Sequence, residues 1–173
     1  MPDAPTRKPR FALLSLAVVV LDQWSKWIVE LHLPEGAAHP VVPGLLNLVH
    51  VRNTGVAFGL FSSDTGSTSW LLTVLGFAAL GAVALYFWLT PGHDRLLLTA
   101  LSLVAGGAVG NLLDRIAAGA VTDFVDVFVG THHWPAFNVA DSAITIGIAL
   151  MVLETVLPRR LRAGSAETAP EAA

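Results

Sequence analysis

Residues 65–92 contain no aspartate, glutamate, lysine or arginine, and neither do residues 96–113. A helix needs about 20 predominantly apolar residues, within a range of roughly 17–25, to cross the hydrocarbon core of a bilayer. Both stretches qualify, so the chain must satisfy its backbone in lipid, where helices and closed barrels are the only stable spanning structures. The whole chain agrees: 54% of its 173 residues are hydrophobic and 13% charged, against about 25% charged in ordinary soluble domains. Its length suits one bundle rather than several domains.

Two further segments are apolar but interrupted. Residues 11–31 carry Asp22, Lys26 and Glu30, and residues 136–157 carry Asp141 and Glu154. They count as spans because the charge topology then closes. Arg7, Lys8 and Arg10 precede the first span, Arg95 lies between the second and third, and Arg159, Arg160 and Arg162 follow the fourth. The opposite side has only Arg52 and the span-end Arg115. By the positive-inside rule both termini face the cytoplasm. The longer connections, about 32–67 and 118–135, then face outward. Arg7 to Arg10 ahead of the run Phe11–Leu21 imitate a signal peptide, but no small-x-small cleavage site follows and further spans do.

The expected fold is therefore an all-α membrane protein, a four-transmembrane-helix bundle with spans near 11–31, 68–90, 95–116 and 136–157. The run Leu45-Leu46-Asn47-Leu48-Val49-His50-Val51 is rich in strand formers. It predicts a small extracytoplasmic β-rich segment at about 40–62, resting at the interface. Residues 1–162 form a single domain, and the tail 163–173 has a disordered composition. There is no cysteine, so disulfides, thiol catalysis and cysteine-bound metals are excluded. A net charge of −3 gives no footing for a nucleic-acid partner.

Span direction fixes the depth of the polar residues. Asp22 lies past mid-membrane in an outward-running span, and Lys26, four residues on, shares its helix face. The third span also runs outward and ends in Asn111, Asp114 and Arg115. The fourth runs inward from about Asn138, with Asp141 in its first turn. Ionisable groups at membrane depth are costly and usually mark function. Each also has a structural reading. Asp22–Lys26 is a neutralised packing pair; Asp114 and Arg115 are headgroup anchors; Asp141 complements a helix dipole; His132, His133 and Trp134 form an interfacial belt; Gly106 and Gly110 make a close-packing face. Taken together, several charges converging on one side exceed what holding four helices requires.

The chemistry can be narrowed. No His-Glu-x-x-His zinc motif and no Gly-x-Ser-x-Gly elbow occurs. A Ser–Lys dyad at Ser25 and Lys26 fails because adjacent helical residues do not face each other. Paired aspartates remain: two close carboxylates share a proton, so one can activate water while the other donates to a carbonyl oxygen. No metal or cofactor is needed. Physical reasoning leaves Asp114, Asp123, Asp126 and Asp141 all open as the pair. A small proton- or ion-coupled membrane transporter is the alternative reading of the same charges, and a non-catalytic assembly factor is another.

In order along the chain come Asp22 and Lys26, then Asn53-Thr54-Gly55-Val56-Ala57-Phe58, Gly110-Asn111-Leu112-Leu113-Asp114-Arg115, Val121-Thr122-Asp123-Phe124 and Phe137-Asn138-Val139-Ala140-Asp141-Ser142. Across residues 11–157 this set resembles the lipoprotein signal peptidase (signal peptidase II) family of bacterial aspartyl membrane proteases. The resemblance implies that Asp123 and Asp141 are the catalytic dyad. Asn53, Gly55, Asn111, Arg115, Asn138 and Ala140 would shape the site or contact substrate, with Asp22, Lys26 and Asp114 in support. It implies a substrate, diacylglyceryl-modified prolipoprotein cut just before the lipidated cysteine, and inhibition by cyclic peptides of the globomycin type. It places the protein in the bacterial cytoplasmic (inner) membrane with its site near the outer face, in contact with the lipid bilayer, and a monomer is expected. Asp126, three residues from Asp123, lies outside the motif and could couple to it. Val56, Phe58, Leu60 and Phe61 could cradle the substrate.

Overall fold

The computed structural model describes residues 8–55 and 65–156, with side chains in the second helix described from Trp70 onward. The proposed substrate cradle at Val56–Phe61 and the tail 163–173 lie outside the described residues. Among the described residues, four helices are long and apolar enough to cross a membrane. They are α1 (Lys8–His32), α2 (Thr65–Leu89), α3 (Arg95–Ala118) and α4 (Val139–Val156). Between them run β1 (Ala38–Val42), β2 (Leu46–Asn53), β3 (Val121–Val129) and β4 (His132–His133).

The bundle is built around α3, which packs against α1, α2 and α4. Lipid offers no hydrophobic drive between helices, so close backbone approach through small residues must supply the packing. A methyl group added at Gly106 would meet the Ser15 carbonyl oxygen of α1 at 2.8 Å. At Gly107 it would collide with the Ala140 carbonyl of α4, and at Gly110 it would sit 2.5 Å from the Asp22 carboxylate. Gly106 therefore serves packing, as its spacing suggests, whereas Gly110 also opens space for a buried charge. The helices turn much of their apolar surface outward: Leu16, Trp24, Leu85, Trp88 and Val152 are all more than half exposed, as lipid-facing residues are.

Helix ends follow the residues that cap them. Asp94 accepts a hydrogen bond from the Leu97 amide (3.3 Å) at the start of α3. Gly119 ends it with φ +69°, a left-handed cap whose N–H reaches the Arg115 carbonyl. The fourth span starts at Val139 rather than about 136, because Asn138 caps it. Its side-chain oxygen accepts from the Asp141 amide (2.9 Å), while the Asp141 carboxylate accepts from the Asn138 amide (3.2 Å). This reciprocal arrangement is a capping box.

The sheet is antiparallel and four-stranded, in the order β1-β2-β3-β4. It departs from the sequence expectation in one respect. β1 and β2 fall in the expected β-rich segment at about 40–62, but β3 and β4 come from the connection 118–135, so the sheet joins both connections. Val121-Thr122-Asp123-Phe124-Val125-Asp126-Val127-Phe128-Val129 is dense in β-branched and aromatic residues, and pairing with β2 satisfies its backbone. The register sets Val51 opposite Asp123 and Asn53 opposite Val121, with an irregularity between Leu48 and Val51. That pairing carries Asn53 to the site.

Candidate active site

Asp22 is wholly buried in α1. One carboxylate oxygen meets the Lys26 ammonium at 2.7 Å, and the other accepts from the Ala140 amide at 2.9 Å. A helix leaves its first amides without partners, so Asp22 caps α4 from another helix and explains why a carboxylate is needed there. Lys26 is equally deep, and its three protons reach Asp22, Asp114 Oδ2 (2.8 Å) and Asn111 Oδ1 (3.0 Å). Buried charges persist when paired and fully hydrogen-bonded, and this ammonium is both.

Asn111 links this cluster to the acids. Its oxygen accepts from Lys26, and its amide nitrogen donates to Asp141 Oδ1 at 2.8 Å. Lys26 thereby fixes which way the Asn111 amide points. Asn138 donates to Asp123 Oδ1 (2.8 Å) and also lies 3.3 Å from Asn111 Oδ1. Asn53 donates to Asp123 Oδ2 at 2.9 Å, and its own oxygen holds the Gly55 amide at 2.8 Å. Gly55 has φ +85°, and a side chain there would collide with Leu72 of α2; only glycine fits.

Asp123 and Asp141 therefore share one set of amides: Asn138 touches both, and Asn111 joins Asn138 to Asp141. Asp123 is 2% exposed, whereas Asp141 is partly open. The Asp123 carboxyl is pushed up to about 6. Burial is the main cause and the Asp141 charge adds to it, against the lowering donors Asn53 and Asn138 and the Lys26 charge. This is the pattern of a carboxylate pair in which one member keeps its proton well above the ordinary carboxylate range.

Asp126 does not join them. Side chains alternate across a strand, so a position three residues from Asp123 faces the other way. Its carboxylate accepts from Asn47 at 2.9 Å and pairs with His133 at 2.8 Å. Those contacts, the His133 hydrogen bond foremost, hold it below its ordinary value. His133 stacks on Phe128 with centroids 4.8 Å apart. Arg115 lies at the site's edge, donating to the Asn111 carbonyl at 3.3 Å. Among the described residues no cluster of three or more histidine, aspartate or glutamate side chains is placed to hold a metal ion.

The structure adds three residues that sequence reasoning passed over. Gln23 donates to Asp114 Oδ1 (2.8 Å) and lies 3.2 Å from both Asp22 and the Gly110 carbonyl. Glu30 accepts from the Thr122 hydroxyl at 2.6 Å, one residue before Asp123. Thr122 also presents its amide to Asp114 at 3.4 Å. Glu30 was detectable, since it lies eight residues from Asp22 and four from Lys26 on one helix face. Gln23 gave only a weaker signal, a lone amide in an apolar run.

The fold is that of an integral membrane helix bundle with a polar, amide-braced site at one end. Comparison with known proteins narrows this class. The family model for signal peptidase (SPase) II matches residues 14–157. The chain is similar to "Lipoprotein signal peptidase" of Acinetobacter baylyi, 40% identical over 89% of this chain and 86% of the relative. It is also similar to the protein of that name in Geobacter metallireducens, 41% identical over 88% and 96%. A solved structure titled "Bacterial membrane enzyme structure by the in meso method at 1.9 A resolution" superposes with a TM-score of 0.72 at 32% identity, covering 86% of this chain and 93% of that one. The chain belongs to the signal peptidase II family, a family of membrane proteases.

Proposed function

We propose that this protein hydrolyses diacylglyceryl-modified prolipoproteins just before the lipidated cysteine, with Asp123 and Asp141 as its acid–base pair. The observation that carries the assignment is their shared amide frame, with Asp123 buried and its carboxyl raised to about 6. In the active acid form, populated below about pH 6, Asp123 holds the proton. Asp141, partly open, takes a proton from water as the water oxygen attacks the scissile carbonyl. Asp123 gives its proton to the carbonyl oxygen, forming a tetrahedral diol. On collapse Asp141 returns its proton to the cysteine nitrogen as the C–N bond breaks, and Asp123 recovers its proton from the hydroxyl that becomes the new carboxyl's C=O. Asn111 and Asn138 keep both carboxylates aimed throughout, and Asn53 and Gly55 close the site from the sheet. Asp22, Lys26 and Asp114 hold that frame from behind.

The sign of the lysine and arginine distribution supports cytoplasmic termini in a bacterial inner membrane, with the site near the outer face. There the substrate's lipid chains, scissile bond and water meet. A monomer supplies every group named, and a globomycin-type cyclic peptide competes for the same site. The transport reading of the buried charges gains no support from the comparisons. The test is cleavage of a diacylglyceryl-modified prolipoprotein by purified protein, with mass spectrometry of both products. Cleavage before the lipidated cysteine, unaffected by chelator, is expected; no cleavage by folded protein, or loss on chelation, would overturn the proposal.

A further inference from the structure

β2 supplies an amide to each of two aspartates that face opposite ways. Asn47 donates to Asp126 at 2.9 Å, and Asn53 donates to Asp123 at 2.9 Å. Asn47 and Asn53 are six residues apart, an even step that puts both side chains on one face of a regular strand. Asp123 and Asp126 are three apart, an odd step that puts them on opposite faces of β3. A regular ladder cannot match both pairs, because residues opposite each other point to the same face.

The chain resolves the mismatch with one extra residue. Leu48 stands opposite Val125 and Val51 opposite Asp123, so Val49 and His50 together face Phe124. That is a β-bulge, an irregularity that re-aims side chains beside active sites. Val49 and His50 are 8% and 6% exposed, two consecutive buried residues where a half-exposed regular strand would turn one outward. Beyond the bulge Asn53 stands opposite Val121, on the face of Asp123. Were the Leu48–Val125 register simply continued, Asn53 would stand opposite Ala120 and share the face of Thr122, turned away from the acid.

His50 holds the bulge from outside the site. Its Nδ1 lies 2.8 Å from the carbonyl oxygen of Leu33, the residue after α1. A carbonyl only accepts, so Nδ1 carries the hydrogen and donates. The His50 backbone nitrogen donates to the Ala37 carbonyl at 3.1 Å, and its carbonyl accepts from the Gly36 amide at 2.8 Å. The other ring nitrogen, Nε2, is buried with no hydrogen-bond partner among the described residues, so the imidazole acts through Nδ1. We infer that His50, strapped to the C-terminal end of α1, fixes the bulge that turns Asn53 onto Asp123, and is a positioning residue for the acid–base pair. Its part in catalysis rests on the peptidase reading; the bulge it holds does not.

Introduced cysteines read the geometry without substrate, since the chain has none of its own. In the full chain in detergent, oxidised with copper phenanthroline, the Asn53→Cys/Val121→Cys pair should cross-link at least about tenfold faster than Asn53→Cys/Ala120→Cys, because a disulfide tolerates little misplacement. His50→Leu removes the donor and should cut that preference at least about threefold; His50→Asn, whose amide nitrogen takes the place of Nδ1, should keep it. With Asn53 intact and diacylglyceryl-modified prolipoprotein as substrate, His50→Leu should lower kcat about tenfold or more with KM within about twofold, since small misplacements cost up to about 10²-fold. His50→Asn should restore kcat to within about threefold of wild type. His50→Gln, whose amide reaches the Nε2 position instead, should behave like His50→Leu and stands in for it if that variant does not fold. Faster cross-linking of the Ala120→Cys pair in the otherwise unchanged chain overturns the proposal. So does an unchanged preference or an unchanged kcat in folded His50→Leu, or a His50→Asn protein as impaired as His50→Leu. Wild-type protein that cleaves nothing overturns the peptidase reading, and the cross-links then decide the bulge alone.

Discussion

Asp123 and Asp126 lie three residues apart on β3, and the protein treats them oppositely. The inner end of the strand buries Asp123 beside a second carboxylate, and its carboxyl rises to about 6. The outer end gives Asp126 an imidazole and an amide, and its carboxyl falls. Strand alternation alone turns them to different faces. What differs is therefore neither residue type nor neighbourhood in sequence, but what the other elements deliver: Asn138 and Asp141 from α4 on one side, Asn47 and His133 from the sheet on the other. A carboxylate becomes a candidate catalyst here because three segments converge on it.

The largest effects should come from the inner end. Asp123→Asn and Asp141→Asn should each lower kcat by at least about 10³-fold while the protein stays folded, since positioned acid–base groups contribute roughly 10²–10⁴ each and neither can be spared. Single-turnover cleavage measures it. The raised carboxyl of Asp123 also makes stability depend on pH. A carboxyl raised from 3.8 to about 6 binds more protons folded than unfolded between those values. Its protonation therefore favours the fold at low pH, and that benefit is lost as pH rises through about 6. Wild-type stability should therefore fall as pH rises from 3.8 to about 6, read as a lower denaturation midpoint, and this slope should be absent in Asp123→Asn.

Lys26→Met comes next. It strips the counter-ion from Asp22 and Asp114 and frees the Asn111 amide, so destabilisation of about 3–5 kcal/mol is expected. A thermal-unfolding series in detergent measures this, and a midpoint close to wild type would show that the cluster is not what holds the site.

Hydrogen-ion dependence sharpens the comparison further. With Asp123 as the resting acid, kcat/KM should fall about tenfold per pH unit above roughly pH 6, and the Asp126→Asn variant should keep that limb unchanged. The smallest effect belongs to Asp126→Asn itself. Its imidazole partner is half exposed, and exposed ion pairs contribute about 0–1 kcal/mol. Cleavage within twofold of wild type is expected. The little stability it adds is complete above the ordinary carboxylate range and lost as pH falls below it.

Much of this site could be read in the sequence because charge in a bilayer is expensive. Asp22, Lys26, Asp114 and Asp141 stood out against apolar runs, and span direction put them at one level. Spacing could not separate Asp123 from Asp126, since depth says nothing about which face of a strand a residue occupies. β3 itself was missed because a short segment between two spans reads as a connection until its partner is known, and that partner, β2, lies about 70 residues earlier. The cap that Asp22 supplies to α4 was equally hidden. It joins residues 118 positions apart, and the need for it arises from the backbone of Ala140, which carries no sequence signal.

The most direct test sets three variants side by side: Asp123→Asn, Asp141→Asn and Asp126→Asn, each verified as folded, acting on a diacylglyceryl-modified prolipoprotein. The account predicts near-complete loss of cleavage in the first two and near-wild-type cleavage in the third. Substantial cleavage by either of the first two, or loss in the third, would contradict it.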